Sequence, residues 1–453
     1  MMTVALLLLL GVVEGRVEDE RTGAGIGKAA VRLMIREDRA AGAVLTDRDG
    51  SFKLEAIRPG RYRVEVEHPA YSRKWRAALK SPRVVEISDG SHVKDLVYRL
   101  VPLGVLAGRV VDEDRGPHRG AAVMALKKYE EKGMVLWQQA STARTDDRGE
   151  YRLDGLEPGE YVLLTAAQRE REPKQAALTF FPRGQRIEDA AVLKLEPGSI
   201  REGLEMTAQL EAVRRVGGRV DLDKGEAEVK LVVGGLGDAV GLAFSSQGTR
   251  KGEFEFKDLP GGEYLLVAGT EKAADKRYAV LPVKLIQEDR EGLLLRLEPL
   301  PLLQGRVEGL KEGESARVVA RGMGWREGSE TKTGKNGEFA LGLLPGPYIL
   351  EVRGLKEGLY VEGGTLRKIE VPGDSQLVLT VKAGTGDVLC FAAPGEEIRF
   401  ENDGEARTVM ADENGLVTAK NLPPGKYQVI GEAGKPREVL VESKTIVGME
   451  VAR

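Results

Sequence analysis

Cysteine is almost missing from this chain. A single thiol, Cys390, stands in 453 residues, which excludes an internal disulfide and a thiolate metal cluster. Histidine is equally scarce: His68, His92 and His118 stand singly, with no His-Glu-x-x-His or comparable ligand spacing. Aromatic residues amount to 5% of the chain, leaving few rings for the exposed platforms that sugar sites need. An excess of charge of one sign is lacking too. The 68 Lys+Arg and 71 Asp+Glu residues give a formal net charge of −3, and basic stretches such as Arg73-Lys74-Trp75-Arg76 are short. Neither a nucleic-acid footprint nor an anionic-membrane patch follows from that balance. No long stretch keeps a helical period with capping residues. Nucleophile elbow, Walker loop and dinucleotide fingerprint are all absent; Gly23-Ala24-Gly25-Ile26-Gly27 is too short for the last and is expected in a hairpin loop. Catalysis and cofactors are therefore not expected.

What is present is repetition. A phrase of Gly, an alternating run, then Leu-x-Pro-Gly-x-Tyr or a variant recurs at Asp49–Tyr62, Arg148–Tyr161, Lys251–Tyr264, Asn336–Tyr348 and Asn414–Tyr427. The run alternates at period two (Phe52/Leu54, Tyr151/Leu153, Phe254/Phe256, Phe339/Leu341, Val417/Ala419), the pattern of a half-buried strand. A Pro-Gly or Gly-Gly pair breaks it, because Pro fixes φ and Gly accepts positive φ. A second alternating strand then opens on Tyr62, Tyr161, Tyr264, Tyr348 or Tyr427. A tyrosine so placed after a sharp corner is similar to the tyrosine corner of Greek-key sandwiches. Upstream, Gly-Arg-Val starts at Gly15, Gly108, Gly218 and Gly305; the fifth copy lacks it. Self-similarity of this kind means a string of small domains.

The spacing predicts an all-β chain: a tandem array of about five Ig-like or prealbumin-like Greek-key β-sandwich modules. The expected divisions are a signal-like apolar segment at 1–12 and sandwiches at 13–101, 102–211 (with a long tail), 212–300, 301–384 and a shorter 385–453.

The second copy carries Gly108-Arg109-Val110, Gly120-Ala121-Ala122-Val123, Thr145-Asp146-Asp147-Arg148-Gly149 and Leu156-Glu157-Pro158-Gly159-Glu160-Tyr161. That succession resembles the carboxypeptidase regulatory-like domain, of the wider prealbumin-like and Cna B-type sandwiches, some of which are grouped by fold with starch-binding domains. The first copy is nearly as good, with Thr46-Asp47-Arg48-Asp49-Gly50. The resemblance implies the sandwich fold and says little of function. Such domains accompany peptidases, outer-membrane receptors and surface proteins, or stand in arrays on secreted bacterial proteins. The zinc peptidase domain for which the family is named has no counterpart in this sequence.

The acidic turns are the most site-like feature. Asp47 with Asp49, Asp146 with Asp147, and Asp412 with Asn414 put oxygens at short spacing, a partial calcium set. The competing reading is that they bond their own backbone. The third and fourth copies favour it, because they keep the expected hairpin with Lys, Arg or Gly in place of acids. Ligand-contact candidates are Trp75, Trp137, Trp325 and the pair Phe180-Phe181, with Trp137 expected in a core and the Phe pair expected to cover its own sandwich or seal a joint. Cys390, in Val388-Leu389-Cys390-Phe391, reads as a buried inert thiol. The isopeptide cross-links that some Cna B-type relatives carry have no matching pattern here.

The Leu-rich run within 1–13 is similar to the core of a secretory signal, lacks a basic start, and is too short to span a bilayer. Export to periplasm, cell surface or medium is expected, with the cytoplasm as the alternative. The expected function is a monomeric, elongated bacterial spacer, scaffold or adhesion surface holding a protein or surface-polysaccharide partner. The alternatives are carbohydrate or peptide binding by one module, and an accessory role in an outer-membrane receptor or peptidase complex.

Overall fold

The computed structural model describes residues 10–36, 39–77, 84–131, 134–166, 174–222, 226–234, 236, 243–249, 252–270, 276–364, 366–373, 376–392, 396–402, 406–412, 415–431 and 436–450. The first module displays the plan. Its strands are β1 (Gly11–Asp19), β2 (Ala30–Arg36), β3 (Arg39–Leu45), β4 (Ser51–Ile57), β5 (Gly60–Glu67), β6 (Tyr71–Ala77), β7 (Val84–Ile87) and β8 (His92–Pro102). They form two sheets in the orders β4-β1-β8-β6 and β3-β2-β5-β7. Apolar side chains at alternate positions, among them Val13, Val17, Val31, Leu33, Phe52, Leu54, Val64, Val66 and Tyr98, meet between the sheets in one core.

Two features were not visible in the periodicity. β1 pairs with β8 in parallel, between antiparallel neighbours, so the first and last strands of the module lie side by side. Successive strands also change sheet at most turns. β1 and β2 belong to different sheets, so Gly23–Gly27 lies in a crossover rather than the expected hairpin loop. The acidic turn likewise joins β3 to β4 across the sandwich, which makes it an arch between sheets and not a hairpin turn. The Pro-Gly corner then returns the chain from β4 to β5 in the opposite sheet.

The same plan repeats four times downstream. The opening strands Gly104–Val111, Arg214–Asp221, Leu302–Glu308 and Gly386–Phe391 pair in parallel with the closing strands Ile200–Thr207, Arg290–Arg296, Gln376–Ala383 and Ile446–Glu450. Each set has its own core cluster. The chain is thus a tandem array of five β-sandwiches in the prealbumin-like strand order.

The parallel pairing explains the recurrent glycine. Gly15, Gly108, Gly218 and Gly305 lie beside Leu96, Leu204, Leu293 and Leu377 of the closing strands. A Cβ at these glycines would stand 2.3, 1.9, 2.1 and 2.4 Å from those leucines' carbonyl oxygens. Rings from the next strand fill the remaining space: Phe52 Cζ would be 2.7 Å from a Cβ at Gly15, and Phe339 Cζ 2.6 Å from one at Gly305. Glycine is retained where no side chain fits between strand and ring.

Candidate interaction surfaces and module joints

The motif tyrosines lie at the sheet-to-sheet corners. The hydroxyls of Tyr62, Tyr161, Tyr264 and Tyr427 donate to the carbonyls of Arg58, Glu157, Pro260 and Pro423 at 2.9, 2.5, 2.9 and 3.1 Å, always four residues back. Tyr348 is buried in the same position. Its hydroxyl closes no hydrogen bond. The fourth corner is stitched instead by Arg326, whose Nε donates to the Pro345 carbonyl at 2.7 Å. Burial raises the pKa of Tyr161 and Tyr264 well above the ordinary phenol value, and that of Tyr348 to about 12. All three hydroxyls stay protonated, and those of Tyr161 and Tyr264 serve as fixed donors.

Within the acidic arches the oxygens are already engaged. Asp146 Oδ1 accepts from the backbone N–H groups of Arg148 and Glu150 at 2.9 and 2.8 Å. Asp412 Oδ1 accepts from Leu416 N–H at 2.8 Å. Asp49 Oδ1 accepts from the Ser51 hydroxyl and backbone N–H, and these bonds hold its carboxyl below the ordinary value. Asp47 contributes through its backbone, donating to Ser51 O and accepting from Gly50 N–H. Asp147 is exposed, and Asn414 lies outside the described residues. The threonine before the acid is a buried clip: Thr46 Oγ1 donates to Ile26 O and accepts from Ala29 N–H, and Thr145 does the same with His118 O and Ala121 N–H. Thr333 accepts from Ala316 N–H in the fourth module. Among the described residues no group of three or more His, Cys, Asp or Glu side chains is placed to hold a metal ion.

The histidines are not brought together. His92 pairs with Glu14, the His68 ring meets Tyr71 edge-on at 5.1 Å, and His118 contributes its carbonyl to Thr145. Of the aromatic candidates, Trp75 pairs through its backbone with Leu100. Trp325 is half-buried, with the Arg326 guanidinium 4.7 Å from its ring centre. Phe181 packs half-buried on the second core, whereas Phe180 is fully buried in a separate apolar cluster that half-buried Trp137 also joins. Trp137 and Phe180 come together, and they share a cluster rather than an exposed platform. A shallow concavity over Gly108 is lined by Arg109, Arg144, Glu150 and Glu205. There Arg109 pairs with Glu205 at 2.5 Å and Arg144 donates to the Gly120 carbonyl at 3.2 Å.

Cys390 is fully buried, and burial lifts its thiol to about 11. In register it faces Val417 and Met449, the position that the Gly-Arg-Val glycine holds in the other modules.

The short Leu/Pro linkers at Leu100–Leu103 and Glu298–Leu303 lead one to expect modules that touch, but the sequence did not single out the polar side chains that join them. Ser72 Oγ donates to Glu157 at 3.2 Å, linking the first module to the corner loop of the second. Lys230 Nζ lies 2.5 Å from Glu327, between the third and fourth. Asn421 Oδ1 accepts from Gly358 N–H at 3.1 Å, between the fourth and fifth, and from Thr385 Oγ1 at 3.2 Å at the start of the fifth. Asn421 sits at φ 57°, a left-handed conformation that Asn tolerates better than most residues. Glu157 and Asn421 stand shortly before corner prolines, whereas Lys230 and Glu327 do not.

Residues 12–92 and 105–188 match the family model of the carboxypeptidase regulatory-like domain. The chain therefore carries two tandem domains of that family. Over 157 residues it is 24% identical to serine-aspartate repeat-containing protein F of Staphylococcus epidermidis, covering 31% of this chain and 9% of that protein. Over 156 residues it is 23% identical to serine-aspartate repeat-containing protein D of Staphylococcus aureus strain MW2, covering 31% and 11%. The matches thus span about a tenth of those relatives' length. Similar solved structures include a streptococcal ancillary pilin (11% identity, TM-score 0.23, 64% of this chain and 99% of that one). Shaft pilin SpaA from Lactobacillus rhamnosus GG is another (10% identity, TM-score 0.25, 44% and 96%). No helix among the described residues is long and apolar enough to cross a membrane.

Proposed function

We propose that this protein is a non-catalytic, exported bacterial spacer or scaffold that sets a distance between a surface and a partner protein or polysaccharide. The observation that carries the reading is the series of five separate cores in chain order, each closed by its own corner tyrosine. Tandem modules whose polar groups are spent on their own arches, clips and corners offer separation and surface rather than a reaction centre. The partial similarity to staphylococcal serine-aspartate repeat-containing proteins supports a place at the cell surface.

Small-angle scattering tests this directly. A compact globule of 453 residues has a radius of gyration of about 22 Å. Five beads in file, each about 30 Å across with its own radius of gyration of about 13 Å, give a value of about 45 Å. A measured radius close to the compact value sinks the spacer reading. A secretion assay on the full-length gene tests export, and retention of all the protein in the cytoplasm contradicts it.

A further inference from the structure

The outer face of a sandwich sheet ordinarily meets water, and the first module obeys: between the inward Tyr62, Val64 and Val66 of β5 stand Arg63, Glu65 and Glu67. The second module does not. In its strand Gly159–Ala166, Tyr161 and Leu163 point to the core, yet the outward Val162 and Leu164 are also 1% and 0% exposed. On the neighbouring strand Ala122–Glu131, Val123 and Ala125 face the core while Leu126 is buried on the other side. This sheet is apolar on both faces.

Two pieces of chain cover the second face. One is the module's own tail, which supplies Phe180, Leu178, Ile187 and Ala190. The other comes from the third module: Leu236, just past strand Ala227–Val233, is 2% exposed in the same cluster, with Val233 packed beside it. Burying a leucine side chain is stabilising, and here that gain exists only while the two modules stay in contact.

The connection between these modules is held as well. Residues 208–213 link the closing strand Ile200–Thr207 to the next opening strand Arg214–Asp221. Six residues is ample for a hinge, longer than the single Leu103 between the first and second modules. Yet Leu210–Ala212 is itself a strand, paired with Lys174–Ala176 of the second module. Glu211 also packs on Gly261 of the third module's corner loop, where an added Cβ would lie 3.0 Å from Oε2.

We propose that the second and third modules form one rigid body, with Leu236 as the plug and the 210–212 ladder as the brace. This deepens the spacer reading and rests on it for its purpose. It implies a stiff central pair flanked by joints held by polar contacts, so that bending concentrates at the polar joints.

The test is the distance distribution between spin labels in the full chain, at R152C and K257C, exposed positions on the two modules. The parent is expected to give one narrow peak. Leu236→Asp is expected to broaden it about twofold, because neighbouring modules move freely once their apolar interface is lost. Amide protection of Gly104–Val111 and Arg214–Asp221 reports that both modules stay folded. If Leu236→Asp loses that protection, Leu236→Ala in the same labelled chain decides by the same criterion. A broad parent distribution, or an unchanged one in a folded variant, overturns the proposal. A narrow peak together with a compact scattering profile would leave the joint standing and remove the spacer function.

Discussion

Cys390 lies opposite Val417 in the fifth module, where Gly15, Gly108, Gly218 and Gly305 lie opposite Phe52, Tyr151, Phe254 and Phe339. A glycine leaves room for a ring across the ladder; a cysteine with its own side chain is matched by a smaller aliphatic partner. The module that lacks Gly-Arg-Val has kept the volume and changed which strand supplies it.

A double-mutant cycle checks this exchange. Val417→Phe alone overpacks the site and is expected to cost about 1–3 kcal/mol in chemical denaturation. Adding Cys390→Gly should recover part of that loss, with a coupling of about 1 kcal/mol or more. Strict additivity would show that the two positions do not share one volume.

The corners make a sharper comparison. Tyr161→Phe removes a hydroxyl bonded to Glu157 O and is expected to cost about 1 kcal/mol. Tyr348→Phe removes a buried hydroxyl with no partner, so its cost should be near zero or favourable. Equal losses in the two variants, read from the unfolding of their modules, would contradict the difference between these corners.

For the acidic arches the expectation is structural. Asp146→Ala leaves the N–H groups of Arg148 and Glu150 without their carboxylate and should destabilise by about 0.5–2 kcal/mol, as loss of a comparable cap does. Calcium or chelator should leave parent melting unchanged. A calcium-dependent rise in melting temperature that Asp146→Ala abolishes would instead assign the arch to an ion.

The thiol gives a pH dependence. Burial raises Cys390 from 9.0 to about 11, and the Glu396 carboxylate acts in the same direction. The unfolded chain therefore gives up this proton first. The stabilisation is fully present below pH 9.0 and is lost as pH rises through about 11. Denaturation midpoints across that window should fall more steeply for the parent than for Cys390→Ala. Parallel slopes would mean that the thiol titrates alike in both states.

Much of this was legible in the chain because it is local. Phe52/Leu54 and Val64/Val66 announce half-buried strands by alternation, and Pro-Gly before Tyr62 announces the corner through backbone preference. Asp146 was open to two readings, and its actual partners, two N–H groups within four residues, became visible only as distances. Phe180 had two candidate resting places, and the pattern around it is the same in either. Ser72–Glu157 and the Asn421 latch had no signature strong enough to find, since each pairs residues more than 60 positions apart.

By itself the sequence determined the number of modules, their all-β character and the seat of each tyrosine, because period-two burial and turn chemistry act over a few neighbouring residues. The tertiary structure decided which strands lie side by side, hence why Gly108 must be glycine and why Cys390 stands in for one. It also decided that an apolar outer face at Val162 and Leu164 is covered by Leu236 of the next module. Burial of one side chain by another depends on where the chain returns, and that is settled only when the sheets have closed.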